Sequence, residues 1–308
     1  MNALGIDTSN YTTSAARYDG ALVGANRKLP LPVAPGQRGL RQSDAVFHHT
    51  RQLPALLAEL LPDPDLAVVG VSHRPRQMED SYMPCFLTGL GHAQVLGAAL
   101  GLPVLRFSHQ QGHIAAALYS AGRLELLERE FLAFHVSGGT TEAVLASPGG
   151  REGPKTQLAA QSLDLKAGQA VDRVGLMLGL RFPCGPQLER LALTWPQAAA
   201  SRPSMKGADC SLSGIENQCR AMVEQGQPAA GIARFCLDSI AAALDEMCGC
   251  LLRELGALPV VFSGGVCSCS LLRDRLGGKY GAAFAAPEFS ADNAAGAAIL
   301  AYRGRFGS

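Results

Sequence analysis

The chain has 308 residues, 47% hydrophobic and 17% charged, which is too apolar for a disordered chain and long enough for two lobes of ordinary size. Its 27 basic and 26 acidic residues leave a net charge of +1, so no global field draws it to nucleic acid, and such a partner would need a local basic patch. No run approaches the ~18 uninterrupted apolar residues of a membrane span.

The opening "MNALGIDTSN" reads as a strand entering a polar turn, not as a basic segment followed by an apolar leader. The nine cysteines lie among small apolar residues, as reduced thiols of a cytoplasmic protein do. Two Cys-x-Cys pairs, Cys248/Cys250 and Cys267/Cys269, cannot each share one helix face, which argues against a metal cluster.

In chain order, "ALGIDTS" and the segment after it predict a strand, a polar hairpin and a second strand with a turn at Gly20. "DAVFHHTRQLPALLAELL" has helical periodicity, with Ser43 or Asp44 as the cap. "LAVVGVS" is a buried strand, "TGLGHAQVLGAALGL" a helix of small residues, "PVLRFS" a strand and "HQQGHIAAALYSAG" a helix. A second cycle starts with "EFLAFHVSGGTTEAVLASPGG", a strand, a Gly-Gly turn and a strand that echo the opening hairpin. Helices "GQAVDRVGLMLGL" and "GIARFCLDSIAAALDEMCGCLLREL", the strand "PVVFSGG", the helix "CSLLRDRL" and a closing helix in "SADNAAGAAILAYRGR" complete it. The pattern predicts two similar α/β halves facing a cleft. The first lobe is expected at 1–105, joined by the C-terminal helix at about 291–303, and the second at 106–290.

Four motifs carry chemistry. His109 and His113 stand at i and i+4, so both imidazoles can reach one ion, although such a pair also occurs without a metal. A zinc protease would need a glutamate after the first histidine, and Gln110 and Gln111 are amides that cannot take a proton. "HVSGGTTE" and "VFSGGVCSCS" each place Ser-Gly-Gly after a buried strand, where exposed N–H groups suit phosphate oxygens, and the second turn is expected to open directly into a helix. "DTSNYTT", with Asp7, Thr8 and Ser9, is a possible third phosphate loop. Asp164 and Asp172 could bind ribose hydroxyls or simply cap and solvate a helix. Asp292 could cap the last helix, or join the two histidines in a two-histidine, one-carboxylate set with open positions on the ion. "SHRPR", from Ser72 to Arg76, could hold a phosphate or carboxylate, or be a solvated loop.

Taken in order, "GIDTSNYTTSAA", "SHQQGHIAAAL", "VSGGTTE", "AGQAVDRVGLMLGLRFPCGP", "SLSGI", "SGGV…LLR" and "DNAAGAA" resemble the TsaD-type tRNA N6-threonylcarbamoyladenosine synthases, also called glycoproteases. The resemblance implies a two-lobed actin-like ATPase fold (acetate and sugar kinase, actin superfamily) with a central cleft. It implies that His109, His113 and Asp292 hold one divalent metal, iron or zinc. Ser137, Gly138, Gly139, Gly264 and Gly265 would hold phosphates of ATP or threonylcarbamoyl-adenylate, and Asp172 and Gly185 would contact its ribose and adenine side. The implied reaction passes a threonylcarbamoyl group to adenosine 37 of tRNA, with the protein partners of a threonylcarbamoyl-transfer complex and no membrane.

The chain departs from the family pattern at several places. Gln111 replaces the glutamate of His-x-Glu-Gly-His, Leu165 and Gln169 replace acids, and Cys269 stands where a nucleotide-binding asparagine is expected. "SHRPRQMEDSYMP" lacks the glycines of a Gly-Pro-Gly turn. These departures describe a divergent paralogue. The alternative to a transferase is a non-catalytic, nucleotide-binding member of a protein assembly, and a metalloprotease ranks last for want of a base.

Overall fold

The computed structural model describes residues 1–9, 11–32, 40–78, 80–291 and 293–307. In chain order the elements are β1 (Asn2–Ser9), β2 (Thr12–Tyr18), β3 (Val23–Pro30), α1 (Gln42–Leu60), β4 (Leu66–Arg74), α2 (Phe86–Leu100), β5 (Val104–Ser108) and α3 (His109–Ser120). They continue with β6 (Phe131–Val136), β7 (Thr141–Ser147), β8 (Lys155–Gln161), α4 (Ala167–Met177), α5 (Gly185–Leu193), β9 (Ser204–Lys206), β10 (Asp209–Ser211), α6 (Ser213–Glu224) and α7 (Ala229–Leu255). Last come β11 (Val260–Ser263), α8 (Ser270–Tyr280), β12 (Ala283–Phe284), α9 (Pro287–Ser290) and α10 (Ala295–Phe306).

The chain divides into two compact units. The first comprises Met1–Arg129, Ser147–Thr156 and Glu288–Ser308, and the second Glu130–Ala146 and Gln157–Pro287. The division therefore falls after Arg129 rather than at 105, because α3 packs on α10 inside the first unit.

Each unit is built on a five-stranded sheet, in the orders β3-β2-β1-β4-β5 and β8-β7-β6-β11-β12. In both, the strand at the centre pairs antiparallel with its hairpin partner and parallel with the strand on its other side, and the parallel pairing continues to the edge. The hairpin echo in the sequence is thus one topology used twice.

The first unit buries Leu4, Ile6, Val69 and Val71 of its sheet against Leu53, Leu56 and Leu57 of α1. Each such side chain contributes ~1.5–3 kcal/mol when fully removed from water. The opposite face is built for close approach. A Cβ on Gly5 or Gly70 would stand 2.2 Å from a carbonyl oxygen of α10 or its cap. The second unit packs Leu132, Phe134, Val136 and Phe262 against α4, α6, α7 and α8, and α7 presents Cys236, Ile240, Leu244, Cys248 and Leu251 at helical spacing.

The expected cap on α1 does not form. Arg41 takes the N-cap position, and Asp44 falls in the first turn, where its charge complements the helix dipole. The cysteines are free thiols, and all except Cys250 are buried. Burial pushes Cys210 up to about 11 and Cys248 to about 12, so they act as small apolar groups.

A buried polar knot ties β2 to α1. Thr13 donates to Gln52 Oε1 at 2.6 Å, so the 2.8 Å contact with His49 is His49 Nδ1–H donating to Thr13 Oγ1. His49 Nε2 is buried without a partner, and desolvation drives the imidazole pKa down to about 4. The unfolded chain takes up this proton near pH 6.5, and the folded chain resists it. Stability from this residue is therefore expected to be intact above pH 6.5 and to fall as the pH drops toward 4. Melting curves of wild type and His49→Leu should show that part of the acid slope in wild type only; identical slopes would refute it.

Candidate functional site

The first constellation lies at the C-terminal end of the central strand of the first unit. Asp7, Thr8 and Ser9 are not a loop. They are the last residues of β1, held in the ladder through Ser9 paired with Thr12, and all three are buried. Thr8 Oγ1 donates to Cys85 O at 2.9 Å and accepts from Gly89 N at 3.1 Å, so its hydroxyl is engaged in packing α2.

Asp7 is the centre of the cluster. Its Oδ1 accepts from Ser9 N at 2.9 Å, and its Oδ2 accepts from His109 Nδ1 at 2.8 Å. Burial works against the Asp7 charge, yet His109 beside it, with the Ser72 and Ser9 groups, holds the carboxyl below the ordinary aspartate range. A carboxylate can only accept, so His109 carries a proton on Nδ1. The His113 ring stands 4.2 Å from that of His109, centroid to centroid, and nearly perpendicular to it.

α3 begins at His109 itself, with Ser108 as N-cap, so β5 leads directly into the first two turns of the helix, which carry the histidine pair. The helix can sit there because Gly112 meets α10 backbone to backbone: a Cβ on Gly296 would lie 1.8 Å from Gly112 O. Of the "SHRPR" segment, Ser72, His73 and Arg74 end β4, and His73 Nδ1 donates to Phe107 O at 2.9 Å. Pro75 O accepts from Gln110 N at 3.0 Å, which lays the following loop against the start of α3. Asp292 lies outside the described residues. Among the described residues no group of three or more His, Cys, Asp or Glu side chains is arranged to hold a metal ion.

The second constellation is in the second unit. Ser137, Gly138 and Gly139 follow β6, and the turn is closed by Ser137 N to Thr140 O at 2.7 Å and Thr140 N to Ser137 Oγ at 3.2 Å. It rests on the start of α4, where a Cβ on Gly168 would meet Gly138 N at 2.6 Å. Gly264 follows the neighbouring strand β11 with φ of +97°, and a Cβ there would meet Val136 O at 2.2 Å. Only glycine serves at such a position. Gly138, Gly139 and Gly265 face open space, and their N–H groups donate to no acceptor among the described residues.

The second turn does not open directly into a helix. A 3₁₀ turn, Gly265–Ser268, intervenes, and α8 starts at Ser270. There Glu189 of α5 accepts from Ser270 N and Ser270 Oγ, both at 2.7 Å, so the helix N-terminus already holds a carboxylate. Sequence reading missed Glu189, as it missed Asp7 as the partner of His109. Asp172 Oδ1 accepts from Cys184 N at 2.8 Å and thereby closes the bend that leads to Gly185 at the start of α5.

A sequence model of the TsaD family, tRNA N6-adenosine threonylcarbamoyltransferase, matches residues 38–299. The chain belongs to this family. Its fold is that of the actin-like ATPases. It is similar to component A of the (R)-2-hydroxyglutaryl-CoA dehydratase of Acidaminococcus fermentans, at 14% identity and a TM-score of 0.57, covering 98% of each chain. Full-length HypF in its phosphate- and nucleotide-bound form matches with a TM-score of 0.60 and 14% identity over 97% of this chain and 55% of that one. A glucokinase of the ROK family from Streptomyces griseus, in complex with glucose and AMPPNP, matches at 0.51 and 13% identity over 98% and 100%. TsaD membership makes the chain, at the level of the family, a carbamoyl-type transferase. No helix among the described residues is long and apolar enough to cross a membrane.

The departures from the TsaD pattern have local structural roles. Gln111 is buried and fully engaged: its Oε1 accepts from Ser108 N at 2.7 Å, and its Nε2 donates to Glu152 O at 2.7 Å and Pro154 O at 3.0 Å. A TsaD glutamate could cap the helix but could not donate to two carbonyls. Leu165 is a core residue, and Gln169 accepts from Lys166 N at the start of α4. Asp164 accepts from the N–H groups of Leu165, Leu212 and Ser213 and from the Ser213 hydroxyl, so it caps α6. Burial opposes its charge, but these donors hold the carboxyl below the ordinary range. Cys269, the N-cap of α8, is buried, and desolvation pushes its thiol up to about 11. It is a neutral packing group at neutral pH.

Proposed function

We propose that the protein transfers a threonylcarbamoyl group from its adenylate to N6 of adenosine 37 of tRNA, working with the protein partners of a threonylcarbamoyl-transfer complex in the cytoplasm. TsaD membership supports the reaction class. The observation that carries the reading is the buried Asp7 fixing His109 beside His113. A histidine whose Nδ1–H is tied to a carboxylate presents Nε2 to an ion, the arrangement found around metal-binding imidazoles. His109 and His113, with Asp292 as the third ligand, would hold one divalent ion, iron or zinc, which would act as a Lewis acid and template.

The Ser137–Gly139 and Gly264–Gly265 turns would hold the phosphates of ATP or of the adenylate. They follow the C-terminal ends of a parallel strand pair, where ligands bind in such sheets, and a Cβ on Gly138, Gly139 or Gly265 would meet open space. Nucleotide in the HypF and glucokinase structures of the same fold agrees with this assignment. Asp172 and Gly185 would line the ribose and adenine side. In the reaction N6 attacks the carbamoyl carbon, the bond from that carbon to the phosphate oxygen breaks, AMP leaves with the electron pair, and the proton lost from N6 passes to the departing phosphate or to water. Neither Gln110 nor Gln111 can take that proton, which also counts against proteolysis.

The test is incubation with threonylcarbamoyl-adenylate and unmodified tRNA, with a proven TsaD as positive control. Modified adenosine is expected. No product beside an active control overturns the transferase reading and leaves the nucleotide-binding assembly member, to which the buried Cys269 points.

A further inference from the structure

β6 and β11 run parallel, and their ladder registers Phe134 with Phe262 and His135 with Ser263. Successive side chains alternate across a strand, so these pairs stand on opposite faces. Phe134 and Phe262 stack at 4.6 Å on the face that packs on the helices. His135 and Ser263 stand on the other, and the β6–β7 register sets Glu142 opposite His135. A polar row, Ser263–His135–Glu142, therefore crosses three adjacent strands; Ser263 and His135 are the last registered pair of β11 and β6, one residue before the first Ser-Gly-Gly turn is reached through Val136 and at the serine of the second.

The hydrogen bonds in this row have a fixed direction. Ser263 Oγ–H donates to Phe134 O at 3.1 Å, so the 3.1 Å contact with the ring is His135 Nδ1–H donating to Ser263 Oγ. This polarity excludes a serine hydrolase, where the hydroxyl proton must be able to pass to the histidine. What the bonds do instead is tie β11 to β6 twice, through side chains, where the backbone ladder ends. One residue later Gly264 lies against the Val136 backbone.

We infer that His135 and Ser263 form a clamp that fixes the spacing of the two turns so that both hold the phosphates of one nucleotide, with His135 as a positioning residue. Adjacent strands lie ~4.8 Å apart, which places both turns within reach of a single di- or triphosphate. Holding them in register before the ligand arrives removes an ordering cost from binding. The inference rests on the phosphate reading of the turns given under Proposed function.

The experiment measures ATP binding by calorimetry, and melting without nucleotide, for wild type, His135→Leu, Ser263→Ala, the double variant and His135→Asn. His135→Leu and Ser263→Ala should each weaken binding about five- to tenfold, the net worth of one hydrogen bond. The double variant should be no worse than either single one, because they break one unit. His135→Asn, which keeps a donor at the Nδ1 position, should restore affinity to within about twofold by the same reasoning. Melting without nucleotide should separate the variants far less than affinity does. Full affinity in His135→Leu, additive losses, or no rescue by asparagine overturns the clamp while leaving the turns as phosphate sites. If wild type binds no ATP, both readings fall.

Discussion

Alanine at both His109 and His113 is expected to bring bound metal from about one ion per chain to none, and with it to end transfer to tRNA. The two imidazoles are two of three proposed ligands, and no single carboxylate holds a divalent transition metal at such a site. Asp7→Asn should give a graded result. It keeps an acceptor for His109 Nδ1–H but removes the charge, and losses of about 10–100-fold in metal affinity are usual for such partners. Metal analysis of the purified proteins is the readout, so the result does not depend on having the right acceptor. No metal in wild type, or equal metal in the double variant, refutes the site. Asp292→Ala is the companion measurement and should match the histidine variants.

Gln111→Glu is expected to destabilise the fold although it brings the sequence closer to its family. The glutamate would keep the cap on Ser108 N but would turn a carboxylate oxygen toward Glu152 O and Pro154 O, which now receive N–H donors. Two lost hydrogen bonds and a poorly paired buried charge come to about 3 kcal/mol or more. For a chain of this size that is about 5 °C in melting temperature. The deficit has a definite pH dependence. The variant carboxyl would titrate above its unfolded value of about 4.3, so the deficit is full above its folded pKa and shrinks as the pH falls through it. Thermal melts at neutral and acid pH check both statements, and an unchanged melting temperature at neutral pH would refute them.

Much of the architecture is legible in the residue order. The alternation of strands and helices, the two Ser-Gly-Gly turns after their strands and the pair His109 and His113 on a helix all depend on local patterns and are found there, although a 3₁₀ turn separates the second glycine turn from α8. What is not legible is non-local. Nothing around Gln111 indicates that two carbonyls about forty positions later will meet its amide. His135 and Ser263 look like interior strand residues until the strand order places them side by side, 128 positions apart. Glu189 reads as a helix-surface carboxylate, yet it occupies the N-terminus of α8 that the sequence offers to an anion. Asp7 is a similar case: the sequence makes it a loop residue for phosphate, and the ladder makes it the buried partner of His109. In each case the side chain's role is decided by which distant element is packed on it, and periodicity carries no information about that.

The glycine contact between α3 and α10 has a consequence for how the chain matures. Gly112 and Gly296 touch through bare backbone, and α10 also fills the hollows over Gly5 and Gly70. Protein synthesis runs from the N-terminus, so β1, β4 and the histidine helix all leave the ribosome well before residues 295–306 do. Until then the parts of the first sheet and of α3 that α10 packs on lack that contact. The histidine pair reaches its final surroundings only after α10 is made.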